Sequence, residues 1–222
     1  MVSLITSIGN LLKFILAPPR CSFCKKQLYE RTIFCSHCLD NIKPIASHKL
    51  YITKRKHIIV HALSSYNPLL RPLILQKRVN NAMGSYDLAQ LIWDRTQFRN
   101  ISCDYIVPVP LHWTRKMRRG FNQAEEIGLF LAKKKNIPVC QLVTRFKKTC
   151  YQADLPVKQR AQNVSEAFQL QCREQDKSQY RGKHFVIIDD LMTTGNTLKF
   201  VAQELLKLKP ASISAFVACR AI

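Results

Sequence analysis

The stretch VIIDDLMTTGNT, residues 186 to 197, constrains the fold of this chain more than any other. Its apolar, β-branched beginning reads as a buried strand, and NTLKFVAQELLKL, which overlaps its end, carries apolar residues at helical spacing. A strand that feeds a helix through a short turn is half of a βαβ unit, and such units build mainly parallel sheets covered by helices. In those sheets ligands bind beyond the carboxyl ends of the strands, where DDLMTTGNT falls. There Thr193, Thr194 and Thr197 offer hydroxyls, Gly195 lets the backbone approach a phosphate, and the helix start at Asn196 supplies unpaired N–H groups with a favourable dipole. Asp189 and Asp190 would repel a phosphate that they faced, so they are expected to face sugar hydroxyls or a Mg²⁺ ion. The pattern is neither GxGxxG nor Walker A, and it reads as a site for a sugar phosphate.

The rest of the chain supports an α/β reading. IIVHALSSY, DYIVPVPL, PVCQLV, KHFVIID and ASISAFVAC are expected strands; NPLLRPLILQKR, MGSYDLAQLIWDR, NQAEEIGLFLAKKKN and NTLKFVAQELLKL are expected helices, and a charged irregular stretch separates PVCQLV from KHFVIID. Residues 1–18 read as an amphipathic helix, too short to span a bilayer and interrupted by Lys13. A Cys-rich module is expected over 19–50 and the α/β domain over 51–222.

Cys21, Cys24, Cys35 and Cys38 form C-x2-C-x10-C-x2-C, two thiolate knuckles that can bring four sulfurs to a tetrahedral Zn²⁺. Because all four ligands come from the protein, the expected ion is structural. The remaining cysteines are scattered singly, which argues against a disulfide framework and for a reducing, cytoplasmic setting.

With 35 Lys and Arg against 14 Asp and Glu, the chain has a formal charge of +21, which favours polyanionic partners. The basic clusters are KRKH (54–57), RKMRR (115–119), KKK (133–135) and RFKK (145–148). With Phe121, Phe146 and Tyr151 near some of them, they could track a phosphate backbone and stack unpaired bases, Lys147 and Lys148 being the chosen phosphate contacts.

At each of its defining positions VIIDDLMTTGNT resembles the phosphoribosyl pyrophosphate (PRPP) signature of type I phosphoribosyltransferases. A narrower resemblance spans nearly the whole chain. The double Cys pair, YNPLLRPLILQKR, DYIVPVPLHWTRKMRRGFNQAEEI and RFKKTCYQADLPVKQRAQNVSEAF, in that order, are similar to the ComF/GntX family of phosphoribosyltransferase-like proteins, which is associated with DNA uptake during natural competence. The resemblance implies a type I phosphoribosyltransferase fold with a small zinc-ribbon-like module. It implies binding of Mg²⁺-PRPP or a ribose 5-phosphate, with Asp189 and Asp190 as the catalytic pair on the ribose and Thr193 to Thr197 around the 5-phosphate. VPVPL would be the pyrophosphate loop, Arg115, Arg118 and Arg119 would lie on a basic loop over the leaving group, and Lys77 would reach the pyrophosphate. Implied partners are single-stranded DNA and a DNA-uptake helicase or recombination mediator, met in the cytoplasm or at the inner face of the membrane. The alternative is a non-catalytic adaptor of the uptake machinery that binds single-stranded DNA with the same fold.

Overall fold

In the computed structural model the residues described are 18–30, 32–75, 83–111, 114, 117, 120–146 and 167–221. The expected helix over 1–18 falls outside them but for Pro18, and so do Lys77, Arg115, Arg118, Arg119, Lys147, Lys148 and Tyr151. Two compact units divide between Lys43 and Pro44.

The smaller unit has few apolar residues to bury, among them Leu28, Phe34 and Ile42. Arg20 and Gln27 form an antiparallel bridge that closes the turn bearing Cys21 and Cys24. The Ser22 N–H donates to the Ile33 carbonyl (2.9 Å), which ties that turn to the approach of the second knuckle. Helix α1 (Ser36–Asp40) starts directly after Cys35.

In the larger unit the elements run β1 (His48–Tyr51), β2 (His57–Ser65), α2 (Arg71–Leu75), α3 (Met83–Arg95), β3 (Tyr105–Pro108), α4 (Gln123–Lys135), β4 (Val143–Arg145), β5 (Phe168–Leu170), β6 (His184–Met192), α5 (Asn196–Leu206) and β7 (Ser212–Arg220). The main sheet has the order β1-β2-β7-β6-β3, with β1 antiparallel to β2 and the other four strands parallel, while β4 and β5 form a separate antiparallel pair. The carboxyl ends of β2, β7, β6 and β3 therefore share one edge.

Three local differences from the sequence expectations have physical causes. Strand β1, with only Leu50 buried, carries too little apolar periodicity to be read from sequence; because it pairs with β2, the compact unit begins at Pro44, ahead of the expected boundary near residue 50. The expected strand PVCQLV shrinks to a single parallel bridge of Val139 to Ile106, after which the chain leaves the sheet edge and forms β4 against β5. Strand β6 runs past its apolar part through both aspartates to Met192, held by the ladder to β7 that ends at Met192 and Arg220.

Helices α3 and α4 pack on each other and on one face of the sheet. Gly128 permits the approach of α4 to β3, since a Cβ there would stand 3.2 Å from Ile106 Cγ2. On that face Phe98 meets Phe216 edge-on, with centroids 5.1 Å apart. The opposite face is covered by α5 and the β4–β5 pair, with Leu198, Val201 and Leu205 in the core beside Phe168, Phe185 and Ile187. Each such buried side chain contributes about 1.5–3 kcal/mol, so this unit has a sufficient apolar core of its own. Among the described residues no helix is long and apolar enough to cross a membrane.

Candidate functional site

At the carboxyl edge of the sheet, β6 ends in Asp189-Asp190-Leu191-Met192 and turns through Thr193 and Thr194 into α5. Gly195 makes the turn possible. Its φ of 76° is left-handed, and a Cβ there would lie 2.8 Å from Met192 Cε and 2.9 Å from Leu50 Cδ1. Gly195 is also the N-cap residue of α5, so no side chain caps the helix, and the first intrahelical bond runs from the Lys199 N–H to the Gly195 carbonyl (2.9 Å). The N–H groups of the first turn are thus left to bind an anion. Thr193, Thr194 and Asn196 are exposed and Thr197 half-buried, and their side chains make no hydrogen bond within the described protein. The structure thus brings together seven of the residues picked from sequence: Asp189, Asp190, Thr193, Thr194, Gly195, Asn196 and Thr197. Asn196 is the first helical residue, one place beyond the cap.

The acidic pair is electrostatically tense. The Asp189 carboxyl accepts the backbone N–H of Asp190 (2.9 Å). Burial pushes this carboxyl well above the usual range, the adjacent Asp190 carboxylate pushes it further, and that N–H and the Arg145 guanidinium oppose them. Such a pair gains from hydroxyl donors or a cation that neutralise it. Hard oxygen donors suit Mg²⁺, so the residues fit that ion together with a sugar ligand. The Cys219 thiol, pushed up to about 12 by burial, also feels the Asp190 carboxylate and so marks how close the end of β7 comes to the pair.

The same edge holds residues that the sequence reading did not single out. Asn122 caps α4 by accepting the Ala124 N–H (3.2 Å) and donates to the Val109 carbonyl (3.0 Å), which joins the VPVPL segment to the next helix. The Gln123 side chain donates to the Leu73 carbonyl of α2 (3.3 Å). Both are buried polar residues in a sequence otherwise read for its apolar positions, and only the helix-start pattern Asn-x-x-Glu-Glu hinted at the first. Arg145, packed over the Phe168 ring at 5.3 Å, enters from β4, whose last two residues were expected to be irregular chain. The described peptides at Pro108 and Pro110 are trans.

A separate polar cleft of about 480 Å³ lies along β5 and the 3-10 segment Glu174–Tyr180, lined by Gln169, Gln171, Arg173, Asp176 and Tyr180 among others. It includes none of the residues at the end of β6.

In the smaller unit the sulfurs of Cys21, Cys24, Cys35 and Cys38 lie within 4.8 Å of one another, those of Cys24 and Cys35 being 3.7 Å apart. Around a tetrahedral Zn²⁺ with Zn–S bonds of about 2.3 Å the sulfurs stand about 3.8 Å apart, so the cluster has the dimensions of such a site. Burial pushes the Cys21 thiol up, but backbone N–H groups of Cys35, Cys24 and Phe23 point at its sulfur and bring it down to about 6. The Cys38 thiol, buried and facing the other sulfurs, is pushed up to about 12. One stabilised thiolate among crowded thiols is what a cation would draw together. His37, inside the second knuckle, is exposed and takes no part in the cluster.

Of the aromatic residues expected to stack bases, Phe121 is buried and unavailable, whereas Phe146 is exposed. Within KKK, Lys135 is already engaged, donating to the carbonyls of Phe98 (3.3 Å) and Arg99 (2.9 Å). Lys54, Arg55 and Lys56 of KRKH lie in the turn of the β1–β2 hairpin, and His57 opens β2. Thr53 Oγ1 accepts the N–H groups of Arg55 and Lys56, and Lys54, Arg55 and Lys56 are all exposed.

Residues 131–222 match the phosphoribosyl transferase domain family. Competence protein F of Haemophilus influenzae is 30% identical over 213 residues, covering 90% of each chain. The DNA utilization protein YhgH of Escherichia coli is 32% identical over 170 residues, 72% of this chain and 71% of its own. Among solved structures, a purine phosphoribosyltransferase from Pyrococcus horikoshii is similar at TM-score 0.40 and 16% identity, over 65% of this chain and 88% of that one.

Proposed function

The chain belongs to the family of competence protein F and the YhgH proteins, with a mainly parallel phosphoribosyltransferase-type sheet, and we propose that it binds Mg²⁺-PRPP or a ribose 5-phosphate in a DNA-uptake role. The observation that carries this reading is the end of β6: a mutually repelling acid pair followed by a turn whose N–H groups and hydroxyls have no partner among the described residues. Asp189 and Asp190 take the ribose hydroxyls, and the Thr193 to Thr197 turn takes the 5-phosphate. If transfer occurs, the bond from the anomeric carbon to the pyrophosphate oxygen breaks with its electron pair leaving on pyrophosphate. A nitrogen lone pair closes the new bond, and the nitrogen's proton passes to solvent. Bound Mg²⁺ supplies charge neutralisation at the phosphates. The chain's own part is to position the sugar and place the carboxylates against the cationic character that develops on it. Lys77, Arg115, Arg118 and Arg119 complete the pyrophosphate side in this reading, and four cysteines holding Zn²⁺ support a structural module.

Calorimetric titration with Mg²⁺-PRPP tests it. Wild type is expected to bind, and Asp189→Asn with Asp190→Asn to abolish binding while remaining folded. Equal affinity in both proteins would refute the assignment.

A second reading is favoured by the exposed Lys54-Arg55-Lys56 turn beside Tyr51, which is 61% exposed: the protein also holds single-stranded DNA in the cytoplasm as an adaptor to a helicase or recombination mediator. DNA binding that survives loss of the acid pair is its signature.

A further inference from the structure

Helix α4 buries one stripe, made of Ala124, Ile127, Gly128, Leu131 and Ala132, against the sheet and α3. A helix with one side on a core ordinarily turns polar residues outward. On α4 the outward stripe is Glu126, Leu129, Phe130, Lys133 and Lys134, three and four apart, and Leu129 at its middle is 48% exposed. The matching stripe of α3 is Met83, Tyr86, Gln90 and Trp93, with Met83 65% and Tyr86 45% exposed. The two stripes join across the seam between the helices. The Tyr86 and Phe130 ring centroids stand 6.3 Å apart, and the Tyr86 hydroxyl donates to the Glu126 carboxylate (3.3 Å). A continuous strip of large apolar side chains on the outside of a helix pair is a surface that marks an interaction.

The rim of this strip is charged at one end. Lys135 of α4 donates to the Phe98 and Arg99 carbonyls, just past the end of α3, so both helices end on the same side of the pair. There Arg95, Lys133 and Lys134 are exposed, and none of them pairs with a carboxylate among the described residues. Lys134 Nζ stands 5.6 Å from the centroid of the Phe130 ring, which brings positive charge to the border of the apolar strip. At the other end Glu126 is already engaged by Tyr86. The attraction of cations to a helix C-terminus accounts for the basic residues alone, but it gives no reason for Met83, Tyr86 and Leu129 to face outward.

We propose that the α3–α4 face is a docking surface for an acidic amphipathic helix of a protein partner. A third helix laid along the seam sets its apolar stripe on Tyr86, Leu129 and Phe130 and its carboxylates against Arg95, Lys133 and Lys134. A second copy of this chain fits the charge poorly, since it brings its own formal charge of +21 to the contact. A nucleic acid strand suits the basic rim but leaves the aliphatic Leu129 and Met83 without a complement. None of the residues at the end of β6 takes part, so this surface stands or falls apart from the sugar-phosphate reading.

The test is fluorescence anisotropy of the full chain with a labelled peptide of about 18 residues, long enough to hold a helix, that carries leucine along one face and glutamate over the other. A scrambled peptide of the same composition keeps the charge and loses the stripe. The patterned peptide is expected to bind at least about tenfold more tightly than the scrambled one, and to protect the amides of residues 83–95 and 123–135 from exchange. Leu129→Gln should weaken it about tenfold, the loss expected when one leucine contact is removed, and Tyr86→Ser serves if that variant fails to fold. Lys133→Glu with Lys134→Glu should weaken it about tenfold at physiological salt. The equal reversal Lys54→Glu with Arg55→Glu lies in the hairpin turn, which Gln203 of α5 ties to the opposite face of the sheet through the Ile52 carbonyl (3.1 Å). That variant should change affinity by less than about twofold, because charges farther apart than a Debye length of about 8 Å are largely screened. Equal binding of the scrambled peptide, or equal losses from the two reversals, would reduce the effect to net charge and overturn the docking surface. Full affinity in both Leu129→Gln and Tyr86→Ser would overturn it as well. A wild-type dimer in sedimentation that Leu129→Gln dissolves would give the face to a second copy, and a single-stranded oligonucleotide whose binding Leu129→Gln weakens would give it to nucleic acid; either overturns the acidic helix.

Discussion

In the unit that ends at Lys43, the residues that fix the fold are the cysteines: the sulfurs gather within 4.8 Å while only a handful of apolar residues are buried around them. In the unit that begins at Pro44 the division of labour is reversed. Its fold rests on apolar residues from both faces of the sheet, and the polar residues that bear chemistry stand at the strand ends, outside that core. A unit whose fold depends on the groups that bind its ion falls apart when those groups are removed. One whose site stands apart from its core can lose the site and stay folded. The family resemblance carried by the two regions therefore leads to opposite responses to mutation.

The sharpest way to break the contrast is to strip any metal from the four cysteines or to remove one of them. Chelation, or Cys35→Ser, is expected to unfold the smaller unit, because thiolate coordination contributes on the order of 10 kcal/mol to a small module. The larger unit should retain its melting transition. Elemental analysis of anaerobically purified protein should show one zinc per chain, and amide exchange before and after chelation should show protection lost only up to about Lys43. A zinc-free protein with unchanged exchange would contradict the account of the smaller unit.

Gly195→Ala comes next, since here the site does reach into the core. The left-handed φ and the 2.8 Å approach to Met192 both penalise a Cβ, and a loss of about 1–3 kcal/mol by denaturant titration is expected, together with weaker ribose 5-phosphate binding. Retention of full stability would mean that the turn is looser than its geometry implies.

Asp189→Asn should have the opposite effect on stability. A carboxyl pushed up on folding makes the folded chain bind its proton more tightly than the unfolded chain does. The contribution from this group is therefore present below the usual carboxylate value of 3.8 and falls as pH rises through its folded value. Above that value the raised carboxyl costs stability, so at neutral pH the asparagine variant should melt higher than wild type by about 1–4 °C, and its melting temperature should change less with pH above 3.8. Ligand affinity, which needs the carboxylate, should weaken in wild type as pH falls. A variant that melts lower would show that Asp189 supports the fold.

The extent to which this architecture is legible in the sequence differs along the chain for identifiable reasons. Helix α3 spans the expected MGSYDLAQLIWDR because Leu88, Leu91 and Ile92 recur at helical spacing, and both knuckles follow from cysteine spacing alone. Strand β1 and the β4–β5 pair were illegible, being three or four residues long and stabilised by neighbours distant in sequence. At the site, the acid pair and threonine turn were legible because their pattern is local. Arg220 and Tyr66 reach the same edge only through the sheet order, and Arg145 approaches the acid pair from the separate β4–β5 pair; local pattern encodes neither arrangement.

The smallest expected effect concerns the hairpin turn. Lys54, Arg55 and Lys56 sit at the tip of β1–β2, exposed, with backbone geometry set by Thr53 Oγ1 rather than by their own side chains. Replacing all three by alanine should leave the melting temperature within about a degree, because surface substitutions of this kind usually change stability by under about 0.5 kcal/mol. If the turn touches a phosphate backbone, each lost contact lowers the steepness with which single-strand affinity falls with salt by about 0.7 in the log–log slope. The triple variant should thus bind a labelled single strand more weakly at low salt and nearly as well as wild type at high salt, with no dependence on base sequence, since phosphate contacts position a strand without reading it. Lys133→Ala with Lys134→Ala at the end of α4, set against Lys54→Ala with Arg55→Ala in the hairpin, is the matched control for a plain loss of two charges. Equal slopes in the two variants would assign the effect to net charge, whereas a slope that changes only in the hairpin variant would place the strand beside Tyr51, apart from the sugar-phosphate edge.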